Sequence, residues 1–209
     1  MTQISDLVED LQQVVVSHLS DNLQRLQGVT GLQCIHRARK LVGTALTVKV
    51  RPGDNLLIYK ALTLAQPGQV LVVDGAGDTT NALVGELIML YAQQRGIVGF
   101  VIDGAVRDTA AFIEADFPCY ARGVSHRGPY KQGPGAIGVP VSIGGQVIQS
   151  GDLVVGDEDG VVSFPVSDAP ALIEAARKTA ANEEAIKREI AIGRVEQSWL
   201  DKVLKPVGL

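Results

Sequence analysis

The sequence predicts an α/β protein: a central sheet with flanking helices and a C-terminal helix. Three observations carry that expectation. Two short, continuously apolar runs, "QVLVVD" (69–74) and "VGFVID" (98–103), have the Val-rich character of strands covered on both faces. One helix-length segment, "NALVGELIMLYAQQRG" (81–96), lies between them, which makes a β-α-β unit with parallel strands. Short β-prone runs among glycines follow, and an Ala/Glu/Lys-rich segment then reads as helix from Ala169 to about Ile192.

Taken in order, residues 4–27 place Ile4, Leu7, Val8, Leu11, Val14, Val15, Leu19, Leu23 and Leu26 at helical spacing. A break is expected near Ser20-Asp21, either of which can cap a second helix. "VGTALTVKV" (42–50) is a strand stopped by Pro52-Gly53. "DNLLIYKALTLAQ" (54–66) is an Asp-capped helix closed by Pro67-Gly68. The helix of 81–96 ends at Arg95-Gly96. "DLVVGDEDGVVSFP" reads as a hairpin turning at Glu158-Asp159-Gly160. The whole chain, 1–209, is expected to form one domain with an N-terminal helical segment (1–27) and a C-terminal helical extension (169–209).

Composition narrows the function. Net charge is −4 without a basic tract, which argues against nucleic acid as a partner, because phosphate binding needs a concentrated basic face. Cys34 and Cys119 stand far apart and outside any metal-ligand spacing, so neither a disulfide framework nor a zinc site is expected. No run has the length of a membrane span and the start lacks a signal-peptide pattern, so the expectation is a cytoplasmic protein without membrane partners. His18 reads as a helix-surface residue, and His36 and His126 as loop residues. Nucleophile-elbow, Walker and dinucleotide motifs are missing. Metal chemistry would then rest on carboxylates and water, which selects Mg²⁺, Mn²⁺ or Ca²⁺.

Parallel strands put their carboxyl ends on one edge, so the loops 74–81 and 103–108 face one crevice. It can hold Asp74, Asp78, Asn81, Asp103, Arg107 and Asp108. Glu86 joins them if the helix starts near Gly85 rather than Asn81; the N–H groups of Leu87 and Ile88 would then be free to bind a carboxylate or phosphate. On spacing alone, Arg107-Asp108 is more often a solvated pair contributing little. Asp74 and Asp103 are more often turn residues bonding their own backbone, Gly133-Pro134-Gly135 a rigid turn, and Glu183 and Glu184 a solvent face.

The run "GELIMLYAQQRGIVGFVIDGAVRD" (85–108) resembles the signature of the regulator-of-ribonuclease-activity-A-like superfamily. Its enzymatic branch is the 4-hydroxy-4-methyl-2-oxoglutarate/4-carboxy-4-hydroxy-2-oxoadipate aldolases. Those enzymes carry an acid, twenty residues, then Arg-Asp, matched here by Glu86 and Arg107-Asp108. "LVGTALTV", "PGDN", "PGQVLVVD", "RGPYKQGPGAIGVPVSIGG" and "SGDLVVGDEDGVVSFP" match in the same order, so the resemblance covers about residues 20–190. It implies a swivelling β/β/α fold assembled as homotrimers or homohexamers with sites at subunit interfaces. It further implies a divalent metal, Mg²⁺ or Mn²⁺, held directly by Asp108, with Glu86 acting through water. Arg107 would contact the keto or enolate oxygen of pyruvate, and Gly85, Leu87 and Ile88 would bind the substrate, the two amides its carboxylate. A glutamate of a neighbouring subunit's C-terminal helix, Glu183 or Glu184, would hold a metal water. Glu86 stands where the characterised motif has Asp, a longer side chain that still suits a role through water.

The implied activity is cleavage of a 4-hydroxy-2-oxo acid to pyruvate, with oxaloacetate decarboxylation through the same enolate. A non-catalytic regulator resembling the ribonuclease E inhibitors is the alternative. The retained Arg107-Asp108 pair and the long C-terminal helix favour the enzyme. A phosphohistidine carrier of similar fold ranks last, since no histidine stands in a convincing setting.

Overall fold

The structure is a computed structural model that describes residues 3–37 and 39–207. Two N-terminal helices, α1 (Ile4–Gln12) and α2 (Val16–Asn22), are separated at Gln13–Val15 rather than near Ser20-Asp21. The break has a tertiary cause: the Val16 N–H donates to the Asp157 carboxylate, 2.7 Å away, so a residue 141 positions later caps α2. Periodicity within the segment carries no sign of that partner.

The chain then forms β1 (Gln33–Cys34), β2 (Leu41–Val50), α3 (Leu56–Leu64), β3 (Gln69–Asp74), β4 (Ala82–Val84), α4 (Glu86–Gln94), β5 (Gly99–Val106), α5 (Thr109–Ala115) and β6 (Cys119–Val124). After these come β7 (Gly135–Ile137), the hairpin β8 (Val141–Ile143) and β9 (Gln146–Ile148), and a second hairpin, β10 (Leu153–Asp157) and β11 (Gly160–Phe164). The long α6 (Ala169–Ala191) and short α7 (Ser198–Leu204) close the chain; residues 208–209 of the predicted C-terminal extension lie outside the described residues. Asp157 faces Gly160 in register, so the second hairpin turns at Glu158-Asp159 as expected.

The main sheet runs β1-β6-β5-β3-β2-β10-β11, with β4 paired to β5 and β7 to β2. Its centre, β2, β3, β5 and β6, is parallel, and the predicted β-α-β unit is β3-α4-β5. Tyr120 on β6 donates its hydroxyl proton to the Asp157 carbonyl on β10, 2.9 Å away. Strands near opposite ends of the sheet therefore meet, and the mixed sheet is nearly closed.

Three apolar clusters follow from strand alternation. Leu46, Val48, Leu71, Val73, Phe100 and Ile102 face α3, α4 and α5. Val70, Val72, Val101 and Tyr120 turn inward beneath the β8-β9 hairpin, which contributes Val141, Ile143 and Ile148. Val42, Leu153, Val155 and Phe164 pack under α1, α2 and α6. Each fully buried side chain of this kind stabilises the fold by about 1.5–3 kcal/mol, and the three clusters hold the sheet edge that carries the site. No helix among the described residues is long and apolar enough to cross a membrane.

Candidate active site

The site grows from a strand that does not stop where its sequence suggests. "VGFVID" looks complete at Asp103, yet β5 continues through Gly104 and Ala105 to Val106, and all eight of its residues are buried. The extension has a partner of its own. Past the end of β3, the short β4 takes its place beside β5, pairing Ala82 with Ala105 and Val84 with Val106. Asp103-Gly104 is thus mid-strand and not a turn. Residues 81–84 likewise precede the helix, which starts at Glu86, the later of the two possible starts.

These two strand ends bring the motif together. The Arg107 N–H donates to the Val84 carbonyl (3.0 Å), and the Glu86 N–H to Asp108 Oδ2 (3.1 Å). Asp108 adopts a left-handed backbone (φ 56°, ψ 40°), a conformation in which Asp is several-fold enriched. It precedes α5 but makes no side-chain cap there; the turned backbone aims its carboxylate at the start of α4 instead. Gly85 is required by space: a Cβ would come within 2.4 Å of Asp108 Oδ2 and 2.9 Å of Arg107 Cγ. Arg107 Nε lies 3.7 Å from Asp108 Oδ2, beyond a hydrogen bond, and the two side chains are 42% and 44% exposed. They share a site without satisfying one another.

The first bond within α4 runs from the Met89 N–H to the Gly85 carbonyl (3.1 Å). The N–H groups of Leu87 and Ile88 have no hydrogen-bond partner among the described residues, and both residues line a cavity of about 50 Å³. Helix-start amides beside an arginine form an anion-binding corner. Gly85, Arg107 and Asp108 complete that wall. Glu86 is exposed at the helix start.

The opposite members of the lining were not anticipated: Asn55, Tyr59, Pro129 and Lys131. Asn55 is 3% exposed; its Nδ2 donates to the Leu83 carbonyl (3.0 Å), and its buried Oδ1 has no partner among the described residues. The Lys131 ammonium sits 5.6 Å from the centre of the Tyr59 ring, a cation–π distance. Asn55 lies in "PGDN", Tyr59 in the helix that follows it, and Pro129 and Lys131 in "RGPYKQGPG"; only the folded chain brings them here.

Other expected members of the crevice are employed elsewhere. Asp74 Oδ1 accepts from the Ala76 N–H (3.0 Å), the turn role foreseen for it. Asp78 holds the Thr80 N–H and hydroxyl, and Asn81 donates to the Gly128 carbonyl (2.6 Å). Asp103, buried at 5% exposure, accepts from Arg122 Nε at 2.8 Å. Glu183 Oε2 is 2.9 Å from His18 Nε2, which makes His18 a half-buried link between α2 and α6 rather than a surface residue. Glu184 pairs with Lys187 at 2.8 Å. Neither glutamate lines this cavity within the chain. His36 occupies a loop as expected but is buried, accepting the Cys119 N–H at Nδ1 (3.1 Å), whereas His126 is an exposed loop residue.

Among the described residues, no three His, Cys, Asp or Glu side chains gather as a ready metal cage. The donor set still fits a hard divalent cation, because Mg²⁺ takes one or two carboxylates and retains several waters. Both described side-chain contacts of Asp108 use Oδ2, so Oδ1 has no hydrogen bond among the described residues; Glu86, whose N–H meets Asp108, is exposed and does not line the cavity.

Comparison with known proteins identifies the family. A protein of Halalkalibacterium halodurans is 37% identical over 203 residues, covering 96% of this chain and 97% of its own; it bears the name "Putative 4-hydroxy-4-methyl-2-oxoglutarate aldolase". Streptomyces coelicolor RraAS2, described as an unusual member of the RNase ES inhibitor RraA protein family, superposes with a TM-score of 0.81. It is 29% identical, over 90% of this chain and 98% of that one. The RNA-processing inhibitor RraA from Thermus thermophilis gives 0.67 at 29% identity, over 73% of this chain and 93% of its own. The family described as RraA-like (Aldolase/RraA) matches residues 16–163. With the nearly closed mixed sheet and its C-terminal helix, the chain belongs to the RraA-like family.

Proposed function

We propose that this protein is a divalent-metal-dependent aldolase that releases pyruvate from 4-hydroxy-4-methyl-2-oxoglutarate or similar 4-hydroxy-2-oxo acids, and that it decarboxylates oxaloacetate. The observation carrying this reading is the convergence of Arg107, Asp108 and the unbonded amides of Leu87 and Ile88 on one cavity. The aldolase name of the 37% identical relative supports it.

In this reading Asp108 holds Mg²⁺ or Mn²⁺. When bound, the ion supplies Lewis-acid stabilisation for charge developing on the 2-oxo acid oxygens. The Leu87 and Ile88 amides bind the C1 carboxylate, aided by the α4 dipole. Arg107 donates to the C2 oxygen, and its bond strengthens as that oxygen gains charge. Glu86 orients a water that takes the C4 hydroxyl proton. The C3–C4 bond then breaks, its electron pair passes into the enolate of pyruvate, and a proton returns to C3. Decarboxylation of oxaloacetate reaches the same enolate without the hydroxyl proton transfer, so one set of groups serves both.

Leu87, Leu90 and Tyr91 are exposed on α4, an apolar surface suited to a trimer or hexamer in which a neighbour completes the site. Glu183 or Glu184 of that neighbour would then orient a further water.

The competing reading is a non-catalytic regulator, favoured by the inhibitor names of the two solved relatives. Length does not separate the readings, since RraAS2 matches 90% of this chain. A coupled pyruvate assay with and without EDTA does. Pyruvate release that EDTA abolishes and Mg²⁺ or Mn²⁺ restores is expected; no metal-dependent turnover on either substrate would overturn the aldolase reading in favour of the regulator.

A further inference from the structure

A second cavity, of about 430 Å³, lies between α1 and the edge of the sheet where the parallel strands begin. β2 enters the sheet there, Pro67-Gly68 leads into β3, and Val98 leads into β5. The candidate active site occupies the far ends of these strands. The eight residues of β5 separate the two by about 25 Å, at roughly 3.3 Å per residue. Val8, Val42 and Val98 give the cavity an apolar wall, and Val8 and Val98 are only half-buried. Two cations border that wall, the exposed Arg39 and the half-buried Lys40. No aspartate or glutamate lines the cavity among the described residues. The Lys40 ammonium donates to the Val14 carbonyl, and its other two N–H groups have no acceptor among the described residues. Burial outweighs the pull of Asp157 and Glu158 and holds Lys40 below its ordinary value of 10.5. Asp157 is itself engaged by the N–H groups of Val16 and Asp159.

We propose that this cavity binds a small amphiphilic carboxylate, an unbranched acyl chain of medium length with one anionic end, apart from the site that handles the 2-oxo acid. The chain lies along Val8, Val42 and Val98, and Lys40 and Arg39 hold the carboxylate. The volume falls within the ordinary range of ligand pockets, about 300–1,000 Å³. Charge selects the head: a half-buried ammonium that faces no carboxylate gains a charge-assisted bond from an anion and nothing comparable from a neutral group. The valines select the tail, since each methylene moved onto them from water raises affinity about 4-fold. A small polar anion would leave that wall wet, and a neutral hydrocarbon would leave Lys40 without a counter-charge. The inference does not depend on the aldolase reading.

Titration calorimetry on the full chain in EDTA buffer tests this with four probes. Octanoate carries head and tail, 1-octanol the tail without charge, butyrate the head with four fewer methylenes, and octylamine the opposite charge. Octanoate should bind once per chain, about 10-fold more tightly than 1-octanol and on the order of 100-fold more tightly than butyrate. Octylamine should not bind. Lys40→Met should erase the preference for octanoate over 1-octanol while leaving 1-octanol within about 2-fold, and Lys40→Arg should restore most of it. Arg39→Met, at an exposed position, should lower the preference by about 3-fold. Gln12 is exposed on α1 and lines the cavity, so Gln12→Trp fills the space. That variant should abolish binding of both probes with an unchanged urea midpoint, which decides the matter should Lys40→Met fail to fold. Arg107→Ala, at the other edge, should leave octanoate affinity within about 2-fold. Equal affinity for octanoate and 1-octanol, equal affinity for octanoate and butyrate, or octanoate binding untouched by Gln12→Trp would overturn the proposal. Loss of octanoate binding in Arg107→Ala would overturn it by placing the ligand in the active site. Binding of no probe would overturn it as well, and a smaller solution mass for Gln12→Trp would then make the cavity an interface between copies. The buffer holds no free metal, so a failed pyruvate assay leaves this result standing, and failure here leaves the aldolase reading intact.

Discussion

Two stretches of the chain begin alike, "DGAGD" at 74–78 and "DGAVRD" at 103–108, and each follows an apolar parallel strand. Their backbones part at once. After β3, Asp74 bonds the Ala76 N–H, Ala76 takes a positive φ of 58°, and the chain turns away. After Asp103 the strand runs on, because β4 and β6 flank it and Arg122 neutralises the aspartate. The carbonyl of Asp103 even accepts the Gly75 and Gly77 N–H groups, both at 3.1 Å, so one copy anchors the turn of the other. Identical local letters thus give a turn where Asp74 bonds its own backbone and a strand where β4 and β6 pair with the continuing chain. The three extra strand residues carry Arg107 and Asp108 to the start of α4.

The contrast predicts unequal roles for the final aspartate of each stretch. Asp108→Ala should abolish metal-dependent pyruvate release, and Arg107→Ala should lower kcat by ~10²-fold or more. Asp78→Ala, which removes only a turn contact to Thr80, should leave the rate within about 3-fold. Steady-state kinetics on the three variants checks this; a near-normal Asp108→Ala would remove the site assignment. The initial aspartates should differ in stability instead. Arg122→Met leaves Asp103 buried without its cation, a loss of about 2–3 kcal/mol given that Arg122 is partly exposed. Asp74→Ala loses one turn bond, about 1 kcal/mol. Urea unfolding of both variants measures the difference, and equal losses would show that Asp103 gains little from Arg122.

The same contrast explains what the sequence made legible. Composition and period placed β3, α4, β5 and their parallel order, since burial on both faces leaves a local mark in Val-rich runs. The Arg107-Asp108 wall followed from that order and from the resemblance in "GELIMLYAQQRGIVGFVIDGAVRD". What depended on a distant partner was invisible. Val16 is capped from Asp157, β5 is prolonged by β4, and Asn55, Tyr59 and Lys131 enter the cavity through contacts between segments 70 or more residues apart. His18 illustrates the limit well: its helical position reads as surface, and only α6 lying across α2 makes it a partner of Glu183.

Asp54 extends the comparison to a third aspartate and yields the smallest expected effect, one of pH. Asp74 spends its described bond on its own turn, whereas Asp54 reaches across to a loop 78 residues away. Burial pushes the Asp54 carboxyl up, but the amides of Leu56, Gln132 and Gly133, with Arg51 nearby, outweigh it and hold the carboxyl below its ordinary value of 3.8. A folded-state value depressed in this way contributes stability that is fully present above the unfolded value. That contribution is lost as pH falls through the folded value. Wild type should therefore be more stable than Asp54→Asn at pH 7, and the gap should narrow progressively below about pH 4, where the unfolded carboxyl takes up its proton before the native one does and the asparagine takes up none. Urea midpoints of the two proteins from pH 7 to pH 3 measure that gap. Parallel curves across the whole range would mean that this link holds without its charge, and that loop 130–133 depends on its main-chain bonds to residues 51–55 instead.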